Sequence, residues 1–216
     1  MKAMHIDDVL DRAHVVSLPL AVRFRGITTR EALLIEGPAG WGEFAPFLEY
    51  GPAESAAWLR AGLEAAYEGF PEPVRDSIEV NATIPAVPAS EVPAVVERYP
   101  GCRTFKIKVA EKGHTLADDA ARVRAVRDAV TQRGDIPILR VDANGGWTVD
   151  EAVEAAQMMM PLDYMEQPCA TTEELAQVRG RLMRAGLFVR VAADESIRKV
   201  ADPYRVAELQ AADVAV

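Results

Sequence analysis

The spacing of apolar positions changes character near residue 78. Upstream, Val15, Val16, Leu18, Leu20, Val22 and Phe24 alternate loosely over residues 13–25, as in a half-buried strand. Residues 30–37 read as a second strand, Gly37-Pro38-Ala39-Gly40 as a turn, and Trp41 to Ala45 as a third strand. The segment is therefore expected to be an antiparallel meander. A helix is predicted from about Pro52 to Tyr67. Pro52 suits a first helical position, and Glu54 lies near the positive end of the helix dipole. Pro71-Glu72-Pro73 then interrupts the chain. Residues 1–77 are read as a small α+β domain.

From Ile78 onward, short apolar runs alternate with stretches of helical period. Strands are predicted at Val80–Ile84, Phe105–Val109, Ile136–Val141, Tyr164–Glu166, Phe188–Ala192 and Ala212–Val216. Helices are predicted at Ala89–Tyr99, with Pro93 in the first turn, and at Leu116–Thr131, Val149–Met160, Thr172–Arg184 and Pro203–Gln210. Thr171 or Thr172 caps the fourth of these. The core face of Leu116–Thr131 is assigned to Ala117, Ala121, Val123, Val126 and Val130, and Met158-Met159-Met160 is read as helix core. Strands alternating with helices imply parallel pairing through right-handed crossovers.

The fold class is α/β. A (β/α) barrel occupies residues 78–216, incomplete at its C-terminus, behind the α+β domain of residues 1–77. An open doubly wound sheet is the alternative. The barrel is preferred because polar residues end successive strands, whereas a doubly wound sheet gathers its ligands at one switch point. Six strands do not close a barrel of eight, so two or more further βα units are expected beyond Val216.

Composition narrows the function classes. Of 216 residues, 50% are hydrophobic and 26% charged, ordinary values for a globular protein. The net charge of −9 offers no basic stripe for phosphates, so no nucleic-acid partner is expected. The two cysteines, Cys102 and Cys169, form no CxxC and read as reduced, buried thiols. No signal peptide and no membrane-spanning stretch is recognised, so a cytoplasmic location and no membrane partner are expected. The oligomeric state is open.

The candidate chemistry lies at the strand ends. Lys106 and Lys108 occupy one face of their strand, because residues i and i+2 point the same way. Asp142, Glu166 and Asp194 follow in Val141-Asp142-Ala143-Asn144, Met165-Glu166-Gln167-Pro168 and Ala193-Asp194-Glu195-Ser196. The steps from Lys108 through these acids are 34, 24 and 28 residues, near the roughly 30 of one βα unit. Isolated acids at strand ends cap helices or make salt bridges. Three acids facing two lysines at the carboxyl end of a parallel barrel read instead as a metal site with a base beside it. The donors are all oxygen, which suits Mg2+ or Mn2+ and not zinc.

Lys106 and a divalent metal both disfavour the charged form of Lys108, making it a usable general base near neutral pH. Lys106 is a second cation that can bind a substrate carboxylate. Asn144 shares the face of Asp142 and either orients substrate or metal shell, or is a turn residue before Gly145-Gly146. Glu195 starts on the opposite side of its strand and is at most an outer contact. His5, His14 and His114 are assigned no role. A metal with a lysine base is chemistry for removing a proton alpha to a carboxylate, so the expected partner is a small-molecule carboxylate substrate.

In order and spacing, Lys106-x-Lys108, Asp142-x-Asn144, Glu166-Gln167-Pro168 and Asp194-Glu195-Ser196 resemble the enolase superfamily, in its muconate-lactonizing subgroup. The Gly40-Trp41-Gly42-Glu43 hairpin resembles that family's N-terminal capping domain. Trp41-Gly42-Glu43-Phe44-Ala45-Pro46-Phe47 and the short capping domain narrow the likeness to the superfamily's aromatizing dehydratases of menaquinone biosynthesis. The resemblance implies Mg2+ at Asp142, Glu166 and Asp194, with Lys108 removing the alpha proton and then protonating the departing hydroxyl. It also implies capping loops that close over substrate at about Pro19–Ile27, with Arg23 and Arg25, and at Phe47–Gly51. A further lysine, which the family carries after the sixth strand, would lie beyond Val216. N-acylamino-acid racemases, dipeptide epimerases and muconate cycloisomerases use the same site and stay open as alternatives. A scaffold without catalysis is the alternative of another class.

Overall fold

The structure is a computed structural model that describes residues 5–24, 27–199 and 201–216, with the side chains of residues 21–24 outside the description. The chain forms two compact units, Met1–Ser77 and Ile78–Val216.

The first unit is a three-stranded antiparallel sheet in the order β1 (Ala13–Phe24), β2 (Ile27–Gly37) and β3 (Gly40–Phe44). Helix α2 (Pro52–Tyr67) begins with its proline in the first turn, as its sequence predicts. It lies unusually close to the sheet: a Cβ placed on Gly42 would meet the Gly62 carbonyl oxygen at 1.8 Å, so the approach requires glycine. Val9, Ile35 and Ala66 form the small core, with Leu59 and Leu63 packed against it. Val9 belongs to a short helix, α1 (Ile6–Leu10), that the polar first residues do not announce.

The second unit is a six-stranded, all-parallel sheet. Its strands are β4 (Ala82–Ile84), β5 (Thr104–Lys108), β6 (Ile138–Asp142), β7 (Tyr164–Glu166), β8 (Arg190–Ala193) and β9 (Val214–Ala215), paired in sequence order. Sequential pairing without reversal rules out the doubly wound alternative, whose strand order doubles back. The sheet and its helices make the incomplete α/β barrel expected.

Register sorts the side chains. Ile107, Val141, Met165 and Val191 stand opposite one another on β5 to β8, and all are buried. They share one core with Val123 and Val126 of α4 (Leu116–Gln132), Ala155 of α5 (Val149–Met159) and Val178 of α6 (Thr172–Arg184). Burying each large aliphatic side chain is worth about 1.5–3 kcal/mol, so this face drives the packing. The alternate positions face the other way and carry the charges.

The helices that follow β5, β6 and β7 each start with the same reciprocal cap. Thr115 with Asp118, Thr148 with Glu151 and Thr171 with Glu174 exchange side-chain and backbone hydrogen bonds. Thr171, rather than Thr172, is therefore the cap of α6.

Several expectations need correction. The helix expected over Ala89–Tyr99 divides into a 3-10 turn, Ala89–Glu91, and α3 (Val92–Val96), with Pro93 in its first turn. The last helix, α7, spans Asp202–Glu208, and β9 is only two residues long. Ala117 faces solvent, and the buried stripe of α4 holds Asp119 and Arg122 beside Val123, Val126 and Val130. Of the three consecutive methionines Met159 is fully buried, Met160, just past the helix, is half-buried against the same core, and Met158 is turned towards solvent by the helix period.

Candidate metal and proton-transfer site

Register assembles the site. Lys108 stands opposite Asp142, and Asp142 opposite Glu166, so the three lie in one row at the carboxyl ends of β5, β6 and β7. Two residues lower on the same face, Lys106 stands opposite Arg140 and Arg140 opposite Tyr164. Asp194 lies just past β8 and opens a 3-10 turn, Glu195–Ile197.

The ammonium of Lys106 donates to Glu166 Oε1 at 2.7 Å and lies 3.2 Å from Asp142 Oδ2. Lys108 Nζ donates to Asp142 Oδ2 at 2.5 Å and to Asn144 Oδ1 at 2.8 Å. Asn144 donates its amide to Glu195 Oε1 at 3.1 Å, and Arg198 donates to that oxygen at 2.9 Å. Asn144 has φ of +45°, a conformation that asparagine tolerates better than most residues.

The placement of Glu195 corrects the premise of the sequence expectation, the strand on which it was set, while Glu195 remains an outer contact. Its backbone sits in a turn, not a strand, so alternation does not carry its side chain away from the site. It contacts Asn144, which in turn contacts Lys108. Arg25 falls outside the described residues, as does the side chain of Arg23. In the first unit, Pro46, Phe47, Leu48 and Glu49, from the start of the expected loop, and the start of β2 line a cavity of about 400 Å3, where Arg30 lies 4.8 Å from the Phe47 ring centroid.

The buried charges control one another. Burial alone would lower the Lys106 pKa, but Glu166 and Asp142 outweigh it and raise it. Burial works against ionised Asp142 as well, yet hydrogen bonding and attraction from Lys108, with Lys106 adding to them, bring it below its ordinary value. Glu166 behaves differently: burial pushes it up to about 7 despite its bond to Lys106. Asp194 is also raised, first by burial and then by the neighbouring Glu195 charge.

Among the described residues no three of His, Cys, Asp and Glu gather closely enough to hold an ion. The close cluster of carboxylates expected from sequence is therefore not drawn together in this structure. The physical reason is visible: Lys106 lies between Asp142 and Glu166, and Asp194 Oδ2 faces Arg198 at 3.8 Å. The side chains nonetheless fit a hard cation. Every donor is oxygen, and Glu166 Oε2 is buried with no hydrogen-bond partner among the described residues. A buried, unpartnered carboxylate oxygen is costly unless a ligand meets it.

Sequence reasoning missed Gln167. It is fully buried with φ of +35° and uses its whole amide. Its Oε1 accepts from the backbone N–H groups of Asp194 and Ser196, both at 3.1 Å. Its Nε2 donates to Cys169 O at 2.9 Å and Ser196 Oγ at 2.8 Å. Gln167 thus ties the end of the Glu166 strand to the start of the Asp194 turn. The signal available in sequence was a polar residue between a buried glutamate and a proline.

Comparison with known proteins agrees with the geometry. Residues 89–216 match the family described as Enolase C-terminal domain-like, and residues 15–66 match the one described as Enolase N-terminal domain-like. The chain belongs to the enolase C-terminal domain-like family. Members of the enolase superfamily generally use Mg2+. Among curated relatives, the o-succinylbenzoate synthase of Mycolicibacterium smegmatis is 58% identical over 214 residues, covering 98% of this chain and 63% of that protein. The o-succinylbenzoate synthase of Mycobacterium marinum is 57% identical over 215 residues, covering 98% and 62%. The chain thus spans less than two thirds of the length of these relatives.

Among solved structures of the superfamily, the L-Ala-D/L-Glu epimerase from Bacillus subtilis matches with a TM-score of 0.71 at 24% identity, covering 94% of this chain and 72% of that one. A mandelate racemase/muconate lactonizing protein from Herpetosiphon aurantiacus matches with a TM-score of 0.67 at 26% identity, covering 94% and 72%. Among the described residues no helix is long and apolar enough to cross a membrane.

Proposed function

We propose that the protein is an o-succinylbenzoate synthase. Its reaction is the Mg2+-dependent syn dehydration of 2-succinyl-6-hydroxy-2,4-cyclohexadiene-1-carboxylate to 2-succinylbenzoate, a step of menaquinone biosynthesis in the cytoplasm. The observation that carries this reading is the 58% identity to a synthase of that name along 98% of the chain. The arrangement of Lys108, Asp142 and Glu166 supports it. The likeness to a dipeptide epimerase, at 24% identity, concerns fold and favours no second reading.

Asp142, Glu166 and Asp194 would hold the metal, which when bound neutralises negative charge building on the substrate carboxylate. Lys108 takes the proton from the carbon alpha to that carboxylate. The electron pair left by the C–H bond forms the new ring double bond as the C–O bond to the hydroxyl breaks. The same Lys108 ammonium returns the proton to the departing oxygen, which leaves as water. Asn144 Oδ1, at 2.8 Å from Lys108 Nζ, fixes the ammonium's direction. Lys106 adds a positive charge on the same face.

The test is conversion of the purified cyclohexadiene to 2-succinylbenzoate by the intact protein, with and without Mg2+, followed by absorbance and mass. Metal-dependent formation of the aromatic product is expected. A protein that binds metal yet racemises N-acylamino acids or epimerises dipeptides instead would overturn the assignment.

A further inference from the structure

We propose that Arg122 and Asp119 are positioning residues, forming a buried bracket that aims Lys108 at its substrate. The inference rests on the reading of Lys108 as the base. It goes beyond that reading, because neither residue touches the reacting groups.

Arg122 and Asp119 stand on the buried stripe of α4, each only 1% exposed, and pair at 2.6 Å between Nη1 and Oδ1. Together they grip the chain just past the end of β5. Arg122 Nη1 donates to the Lys108 carbonyl oxygen at 3.0 Å, and Asp119 Oδ2 accepts from the Ala110 N–H at 2.8 Å. Arg122 Nε donates to the Val87 carbonyl oxygen at 2.6 Å, tying the loop after β4 to the same point. Arg122 Nη2 donates to His114 Nδ1 at 2.8 Å, and since a guanidinium has only donors, that ring nitrogen accepts. The backbone on both sides of Val109 is therefore held from within the core.

The segment is strained as well as gripped. Ala110 has φ of +57°, unfavourable for a residue with a Cβ. Such conformations persist where surrounding contacts over-determine them, and they cluster at functional sites. Ala110 is also pressed against the β6 loop: a Cβ on Gly146 would meet Ala110 Cβ at 2.8 Å and its carbonyl oxygen at 3.1 Å. That loop carries Asn144, the acceptor for the Lys108 ammonium. The bracket thus sets the base's backbone relative to the partner of its side-chain nitrogen.

Stability alone is a poor reason for such a pair. Replacing a buried ion pair with apolar residues of similar size is often neutral or stabilising, because the charges lose their hydration. Geometry is a better one, since displacing a reacting group by about 1 Å can cost about a hundredfold in rate.

The test uses the intact protein with Arg122→Met and Asp119→Leu combined, which removes both charges and the bracket. The double variant is expected to keep its melting temperature within a few degrees. Its Mn2+ affinity, measured by calorimetry, and its KM are expected to stay within about threefold, since the carboxylates lie on other strands. Its kcat should fall by about ten- to a hundredfold, and the Ala110 amide should exchange with solvent faster. A folded double variant with parental kcat overturns the proposal, as does one in which KM alone rises. If the double variant does not fold, Arg122→Lys decides. Lysine keeps the charge beside Asp119 but cannot fork to the Lys108 and Val87 carbonyls, so kcat should still fall, and parental kcat overturns the bracket. Absence of any turnover in the unaltered protein would defeat the functional reading by itself. The bracket would then be judged on Ala110 exchange, and an unprotected Ala110 amide in the unaltered protein would defeat it.

Discussion

Towards the N-terminal ends of β6 to β8, Asp163 is shared between Arg140, at 2.9 Å, and Arg190. Arg140 also donates to Asn81 Oδ1 at 2.9 Å and lies 4.7 Å from the Tyr164 ring centroid. Each of these charges has a partner. At the opposite ends of the same strands, Asp142, Glu166, Asp194 and Glu195 share Lys106, Lys108 and Arg198, and buried oxygens of Glu166 and Glu195 have no hydrogen-bond partner among the described residues. Positive φ angles at Ala110, Asn144 and Gln167 cluster at those ends too. One end of the sheet is built for closure. The other holds uncompensated charge and backbone strain, the condition of a site prepared for a ligand.

The largest effect expected at the strained end is that of Lys108→Ala. Dehydration should fall by about a hundred- to ten-thousandfold, together with deuterium exchange at the substrate's alpha carbon. Metal affinity should be nearly unchanged, because Lys108 is no oxygen donor. Substantial exchange in this variant would move the base elsewhere.

Gln167→Leu should come next. It leaves the Asp194 and Ser196 amides without their acceptor, so the turn that aims Asp194 loosens. Partners of this kind typically affect metal affinity or activity by about 10–100-fold. Calorimetry with Mn2+ measures it, and parental affinity would show that the turn holds its shape without the amide.

Asp163→Asn tests the other end. Weakening its pairs with Arg140 and Arg190 should cost about 1–3 kcal/mol of stability, read by denaturant unfolding, with kcat for the folded protein kept near parental. A loss of kcat as large as that of Gln167→Leu would erase the distinction between the two ends.

The smallest effects belong to the helix caps. Thr148→Ala should cost about 1 kcal/mol. Hydrogen bonds from the Thr148 backbone and side chain hold Glu151 below its ordinary value, and those of Thr115 do the same for Asp118, chiefly through the Thr115 side chain. A carboxylate depressed in the folded state contributes stability above its unfolded pKa and loses it as pH falls through the folded one. Melting temperatures should therefore decline as pH drops below the usual carboxylate range, and the decline should be shallower in Thr148→Ala. An equal slope in both proteins would remove this cap from the acid response.

How much of this was legible beforehand differs by element. Helices α2 and α6 were readable to the residue, because proline, threonine caps and apolar period are local signals. The charged row was readable as well: alternation sends Lys106 and Lys108 to one face, and the spacing of Asp142, Glu166 and Asp194 follows one βα unit. Asp119 and Arg122 were missed although they stand four and one residues before Val123, on its stripe, since a charged residue on an apolar stripe is ordinarily assigned to solvent. Only the fold supplies the Lys108 carbonyl and Ala110 amide that make their burial tolerable.

Sequence by itself determined which strands carry the charged row and where helices such as α2 and α6 begin and end, because period and local capping act within a few positions of the chain. Tertiary structure decided their partners: Lys106 between Asp142 and Glu166, Asp194 facing Arg198, Gln167 linking two strand ends, and Glu195 brought to Asn144 across 51 residues. Buried charges and amides take whatever complementary group the packed elements deliver within about 3 Å, and no local pattern in the chain encodes that meeting.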